Sequence, residues 1–67
     1  MKLYRFLSAE DTSAFCHKVT EALNNGWELH GCPTQTWDHG AGVMRCGQAV
    51  IKDASGTYKP DLKLGEQ

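Results

Sequence analysis

Hydrophobic and polar positions change period twice along this chain, and the changes mark its elements. Lys2 to Leu7 is short, rich in aromatic and branched residues and bounded by Ser8, which predicts a first strand with Tyr4 and Phe6 on one face and Leu3 and Leu7 on the other. Ser8-Ala9-Glu10-Asp11 then has the form of a capping box, with a hydroxyl ahead of acidic charge at the positive end of a helix dipole; Thr12 and Ser13 are alternative caps. Phe15, Val19, Ala22 and Leu23 follow the i, i+4, i+7, i+8 spacing of one apolar stripe, while His17, Lys18, Glu21 and Asn24 fall away from it. This is the pattern of an amphipathic helix with one buried face.

The helical period stops at Asn24-Asn25-Gly26, where glycine supplies the positive φ that a helix end needs, and Trp27 opens a buried strand. From Trp27 to Thr34 side chains alternate with the period of a strand, and Pro33, which cannot donate to a ladder, puts that strand at a sheet edge or in a bulge. Asp38-His39-Gly40-Ala41-Gly42 is a turn cluster, and Val43 to Lys52 is the returning arm of a hairpin. The expected fold is therefore α+β, strand-helix-strand-strand, with one helix on one face of a three-stranded sheet. A helical crossover makes strands one and two parallel, and the order 1-3-2 is preferred over 1-2-3. Residues 1–52 form the compact domain and residues 53–67 a polar, extended C-terminal tail in which Tyr58, Leu62 and Leu64 are apolar anchors.

If the hairpin pairs odd residues with odd, Trp27, Leu29, Gly31, Gly47, Ala49 and Ile51 face the helix, and the small residues let the helix approach closely. The opposite face then carries His30, Cys32, Thr34, Met44, Cys46, Gln48 and Val50, too apolar to be purely solvated and too polar to be a closed core.

Length sharpens the meaning of that face. A chain of 67 residues is one domain, and a domain this small buries only about 60% of the surface that its unfolded chain exposes. Such domains draw further stability from disulfides, a metal or oligomerisation. Three cysteines, Cys16, Cys32 and Cys46, without a close pairing motif, fit reduced thiols rather than a disulfide framework. Neither a signal-peptide run nor a transmembrane stretch is visible, so the expected location is the cytoplasm, with no membrane partner. A net charge of -1 and a pI near 6.2 supply no basic stripe for nucleic acid. Trp37, Arg45 and Lys52 are too scattered to change that reading.

Candidate chemistry is sparse. Cys16 and His17 diverge by about 100° on a helix and cannot act on each other as nucleophile and base. His30 and Cys32 share a strand face, and Cys46 on the other arm would complete a set of soft ligands for zinc or copper, although no recognised zinc spacing is present. No catalytic set, phosphate loop or cofactor motif stands out, and Gly40-Ala41-Gly42 lies in a turn with no helix behind it.

Phe15-Cys16-His17-Lys18-Val19, Glu21-Ala22-Leu23-Asn24, Gly26-Trp27-Glu28-Leu29, Gly31, Pro33, Gly47-Gln48-Ala49 and the tail from Tyr58 to Gln67 resemble a small bacterial family known as domain of unknown function 1737. The resemblance covers nearly the whole chain and implies a compact bacterial α+β domain; the family brings no activity, substrate or catalytic residue to carry over. The functional expectation is a non-enzymatic interaction module, a homodimer or higher closed oligomer that packs either this face, through Cys32, Thr34, Met44, Cys46, Gln48 and Val50, or a sheet edge. The alternative is a small-ligand or metal-binding domain using His30, Cys32 and Cys46.

Overall fold

The computed structural model describes residues 1–66. Strand β1 spans Lys2–Glu10, helix α1 Ser13–Asn24, β2 Glu28–Asp38 and β3 Val43–Asp53, and a short 3-10 turn, Leu64–Glu66, follows in the tail. The sheet order is β1-β3-β2, with β3 antiparallel to both neighbours. This is the predicted α+β arrangement and the preferred strand order.

The first strand runs further than its apolar pattern suggests. Ser8, Ala9 and Glu10 pair with Gly47, Cys46 and Arg45, so Ser8 belongs to the ladder and cannot cap the helix. Thr12 caps instead: its backbone is extended and its hydroxyl accepts the Ala14 N–H at 3.3 Å. At the other end Asn25 is the C-cap and Gly26, at φ +91°, the left-handed residue beyond it. Trp27 N–H donates to the Ala22 carbonyl at 3.0 Å and Gly26 N–H to Leu23 at 3.2 Å, the two bonds of a Schellman motif. The apolar contact that accompanies this motif joins Trp27 to Ala22, both buried.

Leu3 and Leu7 of β1, Ala22 of α1, Trp27 and Val50 make the core, with Val19 and Leu64 packed against it. The Arg5 guanidinium carbon lies 5.4 Å and the Lys52 ammonium 5.5 Å from the centre of the Trp27 ring, so cationic heads and their stems finish enclosing the indole. Leu23, on the edge of the predicted stripe, stays exposed.

The hairpin corrects one expectation throughout. Asp38 pairs with Val43 across a four-residue loop, closed by Gly42 N–H donating to the Asp38 carbonyl at 2.7 Å with Gly42 at φ +66°. An even loop pairs even residues of β2 with odd residues of β3, and a one-residue change of register turns every side chain over. Val50 (0% exposed), Gln48 and Cys46 therefore lie under the helix, and Gly47, Ala49 and Ile51 lie on the far side. Between His30 and Thr34 the ladder bulges: Gly31, Cys32 and Pro33 stand opposite Gln48 alone. Gly31 takes φ +78° there with open space around it, so its need is backbone conformation and not close helix packing.

Past residue 53 the chain closes back on its start. Met1 and Ala54 exchange backbone hydrogen bonds of 2.7 and 2.8 Å, and Leu64 reaches the core, whereas Tyr58 and Leu62 remain exposed. Gln67 lies outside the described residues.

Candidate interaction surface

With α1 on one side, the other side of the sheet has no covering element among the described residues. Its centre is built from β1 and β3. Tyr4 lies opposite Ile51, Phe6 opposite Ala49 and Ser8 opposite Gly47. His30 and Thr34 extend the face onto β2, opposite Ala49 and Gly47. Tyr4 is 55% and Phe6 53% exposed, although each is a large apolar group in the middle of a regular ladder. The Phe6 ring leans across Gly47: a Cβ built there would stand 2.2 Å from its Cζ, so the missing side chain is the seat of the ring. Charges bound the patch at both ends, with Lys2 opposite Asp53 and Glu10 opposite Arg45.

The residues expected to form this surface are divided between the two faces. Thr34 is on the open side. Met44, Cys46, Gln48 and Val50 are on the helix side, and Cys46, Gln48 and Val50 are buried in it. Cys32 is exposed within the bulge. Tyr4, Phe6, Ala49 and Ile51 are the apolar residues that occupy the open face in their place. The signal for them was the alternation of β1 itself: Leu3 and Leu7 fit a small core better than Tyr4 and Phe6, and the register with β3 then assigns Ala49 and Ile51 to the aromatic side.

Gln48 has a structural role. Only 4% exposed, its amide nitrogen donates to the Ala49 carbonyl at 2.8 Å and to Gly31 at 3.2 Å, with the His30 carbonyl at 3.5 Å. It thereby satisfies the main chain that the bulge takes out of the ladder. The metal candidates do not converge. His30 lies on the open face opposite Ala49, and Cys46 lies beneath the helix, where Gln35 Nε2 approaches its sulfur at 3.8 Å and also reaches Asp11 at 3.3 Å. Burial pushes the Cys46 thiol above its ordinary range, which keeps it protonated and a poor ligand. Among the described residues no group of three His, Cys, Asp or Glu side chains is placed to hold an ion.

A cleft of about 300 Å³ beside Trp27 is lined by Arg5 and Lys18 but also by Glu21, at the electronegative end of α1, so its charges are mixed. At the hairpin tip Asp38 binds Arg45 at 3.1 Å and accepts the Ala41 N–H at 3.2 Å, which holds its carboxyl below the usual range and fixes the turn. No described helix is long and apolar enough to cross a membrane.

These features define a small α+β domain with a single helix over one face of a three-stranded sheet and an aromatic patch on the other. The chain belongs to the family described as Domain of unknown function (DUF1737), whose model matches residues 1–53. The tail from Tyr58 onward, part of the initial resemblance, falls beyond the match. No curated protein and no solved structure matches the chain.

Proposed function

We propose that this domain is a non-enzymatic interaction module that associates with copies of itself. The observation that carries the reading is the open sheet face, on which Tyr4 and Phe6 stand half exposed in the centre of a regular ladder. Covering a half-exposed aromatic side chain removes on the order of 100 Å² from water, worth about 2 kcal/mol for each ring. The rest of the molecule points the same way. Among the described residues its apolar core cluster is only five buried side chains, and its radius of gyration of 13.3 Å exceeds the roughly 11 Å of a compact chain of this length. A domain so thin gains from a partner.

The association surface is centred on Tyr4, Phe6, Ala49 and Ile51, with Thr34 and Cys32 at its margin. A cytoplasmic setting is part of the proposal and is supported by three free cysteines, two of them exposed. Light scattering on the eluting protein over a rising concentration series tests the reading. The expected mass climbs from that of one chain to that of a closed oligomer, and Phe6→Lys holds it at one chain. A wild-type mass that never leaves the monomer value refutes it.

A further inference from the structure

The two edges of this sheet differ in their readiness to accept another strand. The β2 edge is broken by the bulge at Gly31 to Pro33, a device that blunts an edge against pairing. The β1 edge is regular, nine residues long and free of glycine, proline and bulges. The reciprocal bonds between Met1 and Ala54 set its phase: odd residues exchange hydrogen bonds with β3, and even residues direct theirs outward. Of these outward groups the Ser8 carbonyl accepts from Lys18 Nζ at 3.0 Å and the Glu10 carbonyl from Thr12 N–H at 2.7 Å.

We propose, resting on the self-association reading above, that β1 pairs antiparallel with β1 of a second copy across a two-fold axis at Phe6, making one continuous six-stranded sheet. Charge selects both the occupant and the register. On its open face the strand carries Lys2 at its start and Glu10 at its end, so turning it end for end sets the base of each copy against the acid of the other, while Arg5 stays on the helix side over Trp27. Centred on Phe6, the pairing puts Lys2 beside Glu10 of the other copy. Within one chain Lys2 already lies across from Asp53, and Glu10 across from Arg45, all on the open face. The row across the joined sheet then reads Asp53, Lys2, Glu10 and Arg45, the last two from the second copy, with charge alternating in sign at each step.

Two hydrogen bonds join the Phe6 residues and four more join Tyr4 to Ser8 of the other copy. The Ser8 carbonyl has two lone pairs, and Lys18, on an exposed and flexible stem, shares it or withdraws. Phe6 lies against its own counterpart at the axis and Tyr4 against Ser8 of the other copy, so each ring gains a covering neighbour along its outer side, and the two aromatic patches join on one face of the longer sheet.

Charge exchange tests this in the full chain. Lys2→Glu leaves acids at both ends of the strand and Glu10→Lys leaves bases at both ends. Each variant alone is expected to lose at least tenfold in self-affinity, while an equimolar mixture regains the wild-type dimer as a heterodimer, read by native mass spectrometry. Circular dichroism at dilution shows that both variants are folded. Variants that keep wild-type dimers, or that lose them without rescue on mixing, overturn the strand pairing while leaving self-association standing. A wild-type chain that is monomeric at every concentration removes both.

Discussion

The side of the sheet on which β3 places its alternate residues can be measured by exchanging two neighbours for alanine. Val50 is fully enclosed beneath α1, and Ile51, the larger residue, is half-buried on the open face. Val50→Ala removes two carbons, about 1.6 kcal/mol at ~0.8 per methylene, and the space left between Leu3, Leu7 and the helix cannot collapse fully. The total is about 2–3 kcal/mol, a large share of the roughly 3–5 kcal/mol that a core of this size supplies. Ile51→Ala removes three carbons but leaves no closed cavity, and about 1 kcal/mol is expected. Urea unfolding of dilute protein reads the difference directly. With a slope of about 1 kcal/mol/M, Val50→Ala lowers the midpoint by about 2 M and Ile51→Ala by about half as much. An Ile51→Ala loss equal to or larger than that of Val50→Ala refutes the register and with it the open aromatic face.

Gln48→Met keeps the volume and removes the amide donor, so the bulge carbonyls lose their partner; a loss of about 1–2 kcal/mol in chemical denaturation is expected, with unchanged stability as the contrary result. Trp27 is buried and Trp37 half exposed, so Trp37→Phe leaves a blue-shifted emission shielded from acrylamide, and Trp27→Phe leaves a red-shifted, quenchable one. The Cys46 thiol titrates above its unfolded value because it is buried, so the native state holds its proton longer than the unfolded chain. Its contribution is present below pH 9 and is lost as pH rises through that region; Cys46→Ala abolishes this part of the alkaline decline in melting temperature. The Asp38 carboxyl behaves oppositely, its contribution being present above the ordinary carboxylate range and lost as pH falls below it, which Asp38→Asn removes from the acid limb of the same profile.

Where the chain carried its own geometric instruction, the fold was legible. The stop at Gly26 needed one residue at positive φ, and Trp27 beside it needed burial, so helix end and core anchor could be read together. Pro33 likewise announced an edge or a bulge, and β2 has both. The open face was harder because its composition depends on one loop. Whether residues 39–42 form a loop of even or odd length decides which half of β3 is buried, and the turn cluster fits either. Gln48 compounded the difficulty: a glutamine looks like a surface residue until the bulge opposite shows carbonyls for it to satisfy. Ser8 misled for a related reason, since a capping hydroxyl and a strand-end serine are the same residue until the ladder with Gly47 is known.

Hydroxyl-radical footprinting of the full chain at low and at high protein concentration tests the central claim most directly, because it reads side chains of one strand against each other. The account predicts that in dilute protein Tyr4 and Phe6 are modified readily while Leu3 and Leu7 are spared, and that Tyr4 and Phe6 become protected as concentration rises. Modification of Leu3 and Leu7 at dilution, or labelling of Tyr4 and Phe6 that is indifferent to concentration, would contradict it.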